Sequence, residues 1–279
     1  MGMSRFLKPL AWATLVANAM LVVTGGAVRL TGSGLGCPTW PRCTDESFTP
    51  HGALNMHSAI EFGNRMLTFV LVAVAILTFI SAWQSKRAEL IKIALVLALG
   101  IPLQAVIGGI TVLTDLNPWV VSFHLLCSMA IVSLAVTYLW RIDRPLPRPT
   151  PLAWAMYAAC WAVLYVGTVV TGSGPHAGDA ESPRNGLDPL QLSQLHADAV
   201  FLFLGLVIAL VLTARDLPAV VLLAVTLMQG AIGFVQYFTD LPILLVGAHM
   251  FGAAVLMACA TQALLTQQRG GHDRSAVAS

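Results

Sequence analysis

The chain has 279 residues, 57% of them hydrophobic and 10% charged, with a formal net charge of +2 and a mean hydropathy of +0.78. Soluble domains carry about 25% charged residues, so this composition excludes an ordinary soluble protein, and the small net charge says nothing in favour of nucleic acid. A hydrocarbon core ~30 Å thick takes about 20 apolar residues at 1.5 Å per residue, and eight such runs predict an all-α integral membrane protein with eight transmembrane helices.

The first run, 10–29, follows Arg5 and Lys8 and has the outline of a secretory signal. No small-residue cleavage site precedes Arg29-Leu30-Thr31, so it reads as an uncleaved helix. Thr31-Gly32-Ser33-Gly34 ends it, and the loop of 31–54 carries Gly36-Cys37-Pro38-Thr39-Trp40-Pro41-Arg42-Cys43. Outside a bacterial membrane a disulfide between Cys37 and Cys43 is chemically permitted. It is either a staple for the loop or, as a strained and exposed bond, a redox-active one.

The second run, 55–83, opens on His57 and places Glu61, Asn64 and Arg65 on nearly the same helix face. Placing Glu61 and Arg65 in a membrane costs about 2.5–3.5 kcal/mol each. A salt bridge at i,i+4 offsets part of that cost; a carboxyl one turn from His57 can also handle protons. Both roles are open to Glu61, and Arg65 can stabilise it or contact a propionate.

Run 91–113 contains Gln104-Ala105-Val106-Ile107-Gly108-Gly109, a Thr114-Asp115-Leu116 turn follows, and run 119–140 contains His124 and Cys127. A basic loop with Arg141, Arg144, Pro145, Pro147, Arg148 and Pro149 leads into 152–171 with Cys160, then to a loop over 172–193. Run 194–214 carries His196, 218–238 carries Gln229, and 242–265 carries His249 and Cys259. The three cysteines inside runs read as space-filling thiols. His51, His176 and His272 fall in loops or the tail and receive no role.

Basic residues set the orientation. Arg5, Lys8, Lys86, Arg87, Lys92, Arg141, Arg144, Arg148, Arg215, Arg269 and Arg274 share one side, against Arg42 and Arg184 on the other, so both termini are expected in the cytoplasm.

Two halves repeat. Gln104 and Gln229 are 125 residues apart, and so are His124 and His249, with Thr-Asp-Leu between the glutamine and the histidine in each copy. Thr31-Gly32-Ser33-Gly34 matches Thr171-Gly172-Ser173-Gly174, and His57 matches His196. Four runs per copy return the chain to its starting side, so the halves, 1–144 and 145–279, form two parallel-repeat four-helix bundles. His57, His124, His196 and His249 then share an outer layer, about 3–10 Å below the helix ends. Facing imidazoles can take both axial positions of a heme iron; zinc lacks a further carboxylate or thiolate in each bundle. Helix 6 follows His196 with Val200, Phe203 and Leu204 where helix 2 has Glu61, Asn64 and Arg65, so only the first pocket is equipped for acid–base chemistry.

On Thr31 to Cys43, on Ile60-Glu61-Phe62-Gly63-Asn64-Arg65 and on the histidines of helices 4, 6 and 8, the chain resembles bacterial heme A synthase over nearly its whole length. The resemblance implies an enzyme that oxidises the C8 methyl group of heme O to a formyl group, through hydroxymethyl and hydrated aldehyde stages. It implies heme b between His196 and His249, and the substrate heme beside His124 with His57. Glu61 matches the family's functional carboxylate, with Arg65 beside it, and Cys37 and Cys43 match its outer-loop pair. Heme O synthase and a membrane electron donor are the implied partners. Two departures stand out: Asn64 occupies the place of the usual helix-2 histidine, for which the repeat nominates His57, and no cysteine pair follows helix 5. A diheme membrane cytochrome or a heme carrier is the alternative, though neither gives Glu61 or the cysteine loop a role.

Overall fold

The computed structural model describes residues 3–50 and 55–267, so His51, His272, Arg269 and Arg274 lie outside the described residues. A 3-10 turn, Met3–Phe6, leads into α1 (Leu7–Leu30), α2 (Met56–Gln84), α3 (Ala88–Leu113) and α4 (Pro118–Asp143). The chain continues through α5 (Pro151–Ser173), α6 (Pro189–Ala214), α7 (Leu217–Phe238) and α8 (Ile243–Thr266). All 8 are long and apolar enough to cross a membrane, so the chain is a multi-pass membrane protein.

Local chemistry sets the helix starts. Asn55, Asn117, Thr150, Asp188 and Asp216 each accept a backbone N–H in the first turn of the helix that follows. Proline occupies the first turn of α4, α5, α6 and α7, where its missing N–H has no intrahelical partner to lose. The largest boundary difference from the sequence reading follows from one such start: Asp188 and Pro189 begin α6 five residues before the apolar run at 194.

Helix packing falls into two cycles. Helix α1 packs against α2 and α4, and α2 and α4 each against α3; α5 packs against α6 and α8, and α6 and α8 each against α7. Between the cycles α8 touches α1 and α4, and α4 touches α5. Exchanging α1–α4 for α5–α8 maps this set of pairings onto itself. The larger core is fully apolar and includes Met156, Cys160, Phe203, Leu222 and Met257, with Met129 reaching in from α4. Cys160 is buried there, and Cys259 packs against it.

The two ends of the helices differ in chemistry. At the basic end Lys8 Nζ lies 2.7 Å from Asp143 Oδ2, Arg141 pairs with Glu89, and Arg87 donates to the Arg141 and Ile142 carbonyls at 2.7 Å each. The opposite end is a layer of interlocked loops. Gly34 N donates to Gly178 O at 2.8 Å, Arg29 donates to the carbonyls of His176 (2.6 Å) and Thr171 (2.9 Å), and His176 Nε2 donates to Leu241 O at 2.9 Å.

The α3–α4 and α7–α8 turns are alike. Asp115 and Leu116 (φ 52° and 58°) and Asp240 and Leu241 (φ 59° and 56°) all adopt left-handed backbone, which is uncommon without glycine. Each leucine N–H closes a 2.8 Å bond five residues back, to Thr111 O or Gln236 O, satisfying a carbonyl the helix end would leave open.

Candidate functional site

Below the loop layer, histidines stand on α4, α6 and α8 at almost equal positions. His124 is the seventh residue of α4, His196 the eighth of α6 and His249 the seventh of α8, so each ring lies about 9–10 Å from the start of its helix at 1.5 Å per residue.

The glutamine of each repeated string supports the histidine of the next helix. Gln229 Nε2 donates to His249 O at 2.9 Å. Gln104 Nε2 reaches His124 O at 3.4 Å and bonds Ser128 Oγ at 2.8 Å. One turn beyond each glutamine a glycine faces the imidazole: a Cβ on Gly108 would lie 3.3 Å from His124 Cε1, and one on Gly233 3.5 Å from His249 Cε1. Gly167 on α5 stands likewise 3.0 Å from His196 Cε1. Gly252 has its own reason to lack a side chain, since a Cβ there would collide with Gln229.

His124, His196 and His249 each keep a buried Nδ1 without a hydrogen-bond partner, and His196 and His249 are near enough to interact electrostatically. Buried polar atoms are normally satisfied. Imidazoles with an unpartnered buried nitrogen and a glycine beside the ring, in an apolar bundle, fit the requirements of axial heme ligands.

His57 differs. It is the second residue of α2, roughly 8–9 Å nearer the helix start than the other three rings would be on their helices. Its ring is exposed, and Nδ1 bonds Ser33 Oγ at 3.0 Å. The four histidines thus do not share one helix position: three stand at the seventh or eighth residue of their helices and His57 at the second. Asn64, the ninth residue of α2, lies about 12 Å from its helix start and accepts a 2.8 Å bond from Thr24 Oγ1.

Glu61, Arg65, Cys37 and Cys43 come together in one cluster. Cys37 and Cys43 form a disulfide. Glu61, only 5% exposed, accepts the Cys37 N–H at Oε2 (2.6 Å) and Arg65 at Oε1 (2.5 and 3.1 Å). Arg65 also donates from Nη2 to Cys37 O (2.9 Å) and from Nη1 to the carbonyls of Thr39 and Arg42 (3.1 Å each). A guanidinium has five N–H donors; all five are occupied, leaving none for the propionate contact the sequence left open. The disulfide is also not exposed as one sequence reading supposed: Cys37 is 0% and Cys43 1% accessible, folded beneath their own loop.

The same loop sends Trp40 onto α3. The indole covers the face of Gly109 so closely that a Cβ there would collide with it. Sequence reasoning passed over this pair, although the repeat held the signal: Ile107-Gly108-Gly109 in the first copy becomes Ile232-Gly233-Phe234 in the second. Phe234 instead is 54% exposed and stacks with Phe238 at 6.5 Å between ring centroids. Ser33, Gln104 and Gln229 were likewise within the quoted motifs without an assigned task.

Comparison with known proteins adds an independent line. The signature of the COX15-CtaA family, described as cytochrome oxidase assembly protein, matches residues 8–182, more than half of the chain. A heme A synthase from Listeria welshimeri is 30% identical over 154 residues, covering 51% of this chain and 48% of that protein, and one from Listeria monocytogenes matches equally. The match thus spans about half the length of these relatives. A heme A synthase from Bacillus cereus is 24% identical over 286 residues, covering 92% of this chain and 91% of the relative.

Proposed function

The chain belongs to the COX15-CtaA family of cytochrome oxidase assembly proteins, and from that premise we propose that it oxidises the C8 methyl group of heme O to the formyl group of heme A. The observation that carries the reading is the set of three imidazoles at nearly one distance from their helix starts, each with a glycine beside it and a buried nitrogen without a protein partner. Similarity to heme A synthases supports porphyrin iron as what such a set would serve.

We assign the units 1–144 and 145–279 as substrate and cofactor bundles, a division that the two packing cycles support. His196 and His249 hold heme b, which when bound supplies one-electron transfer. His124 holds the iron of heme O, with Gly108 leaving room beside the ring. His57 is the α2 imidazole available to the same iron, and it serves once its Ser33 bond is exchanged. The farnesyl tail lies among lipid-facing apolar side chains.

Glu61 is the only buried carboxylate of the outer layer among the described residues, and no repeat counterpart exists in α6. Dioxygen is the oxidant and oxygen source, and a donor supplies the electrons that carry its second atom to water. The Glu61 carboxylate serves to exchange protons as the methyl group is oxidised, and Arg65 holds it in place through the i,i+4 pair. The basic end of the bundle, with its excess of Lys and Arg, faces the cytoplasm, together with both termini, in a bacterial cell membrane. Heme O synthase upstream and a membrane electron donor are the partners this chemistry calls for.

One experiment tests the reading. The chain is expressed with a heme O synthase in cells that lack heme A, and the extracted hemes are separated. Formyl or hydroxymethyl heme that vanishes in Glu61→Ala supports the enzyme; unchanged heme O as the sole product rejects it in favour of a cytochrome or a carrier.

A further inference from the structure

Trp40 and Gly109 form a contact that the chemistry above does not use. Gly109 is buried, and any side chain there would displace the indole. Its neighbour Gly108 faces the His124 ring. Consecutive residues of a helix point about 100° apart, so the indole and the imidazole cover adjoining faces of α3 within its last two turns. The indole is thus seated beside the His124 position, on its outer side.

The loop holds the indole firmly. Arg65 donates to the carbonyls of Thr39 and Arg42, on either side of Trp40-Pro41, and Thr39 Oγ1 donates to Arg42 O at 2.9 Å. The disulfide closes the same loop around Trp40. The second half has no such arrangement: Phe234 takes the place of Gly109, and the α5–α6 loop is tied to Arg29 and Leu241 through His176. A resident cofactor needs no door. A substrate must come in and a product must leave.

We propose that Trp40, seated on Gly109, is the lid of the first pocket, and that a porphyrin exchanges at His124 only when the disulfide loop lifts the indole from α3. This rests on the reading of the first pocket as the substrate site. It assigns the Glu61–Arg65 pair a positioning role in addition to the proton role, because both side chains grip the loop that carries the lid. Gly109 is then a specificity residue for gating: its missing side chain is the seat.

The test uses the full-length chain in detergent, with hemin as probe and stopped-flow absorbance to follow uptake and release. His124→Ala serves as the blank. Trp40→Ala and Gly109→Ala should each speed uptake and release together, by about fivefold or more, while their ratio stays within about twofold, as expected for a lowered barrier between unchanged end states. The double variant should match the singles, Trp40→Phe should remain near the parent, and Phe234→Ala should change nothing. Rates unchanged in both single variants overturn the lid. Faster release with unaltered uptake overturns it as well, since Trp40 would then be a binding contact. Uptake that persists in His124→Ala overturns it too, because the lid would cover no site. Should Gly109→Ala lose the spectrum of the second pocket through misfolding, the two Trp40 variants decide. Formyl heme is not measured here: gated hemin without formyl product would sink the enzyme reading alone, and formyl product with ungated hemin would sink the lid alone.

Discussion

The two histidine sites on α4 and α8 share a glutamine, a glycine and a left-handed turn, yet their surroundings diverge within one residue of that glycine. In the first, Gly109 admits Trp40 from a disulfide loop gripped by Glu61 and Arg65. In the second, Phe234 fills the same register and turns to Phe238, while α6 offers apolar Phe203 and Val200 below His196. A common scaffold therefore positions the imidazoles, and the differences lie in what can approach them. Of the two surroundings, only the first holds a buried ion pair, Glu61 with Arg65, among the described residues.

The comparison is broken most directly through the histidines proposed to hold the cofactor. His196→Ala and His249→Ala should each abolish the low-spin heme spectrum of the purified protein, whereas His124→Ala should leave it in place. A spectrum that survives loss of either α6 or α8 imidazole would remove the basis for calling the second pocket the resident one.

Glu61 sharpens the comparison at the next level. Removing one partner of a buried ion pair costs about 3–5 kcal/mol, so Glu61→Ala should lower thermal stability and expose the disulfide to thiol reagents as well as stop formyl formation. Glu61→Gln keeps an acceptor for the Cys37 N–H and should protect the disulfide better, yet remain without formyl product. Equal thiol reactivity in the two variants would refute the grip on the loop, and activity in Glu61→Gln would refute the proton role.

The smallest effect is expected at the shared support. Gln229→Leu loses a hydrogen bond worth about 0.5–1.5 kcal/mol, but it also removes the unpartnered Oε1. The heat stability of the second pocket's Soret band should therefore shift by only a few degrees, leaving the spectrum intact. Outright loss of the heme would mean that the glutamine does more than hold the His249 carbonyl.

Much of this was legible in the sequence because helices in a membrane are written as apolar length, and all eight emerged near their observed bounds. The start of α6 was hidden because polar Gln191 and Ser193 precede the apolar run, while Asp188-Pro189 carried the local signal. The histidine pattern gave the positions on α4, α6 and α8. The height of His57 was not legible, since matched numbering does not fix where a helix begins, and α2 begins at Met56. The Glu61–Arg65 pair was visible as an i,i+4 spacing, but its grip on Cys37, Thr39 and Arg42 depends on a loop fold that no periodicity encodes. Burial of the disulfide depended on that same fold.

The knotting of the outer turns has a practical corollary. Leu116 wedges against Gly34 and Gly178, whose loops join backbone to backbone, and His176 of the same segment bonds Leu241 on the far hairpin. An epitope or affinity handle inserted near 176–178 would pry at both halves simultaneously, and a purified preparation would lose occupancy in each. Handles belong near Thr266, at the end of the molecule remote from these loop contacts.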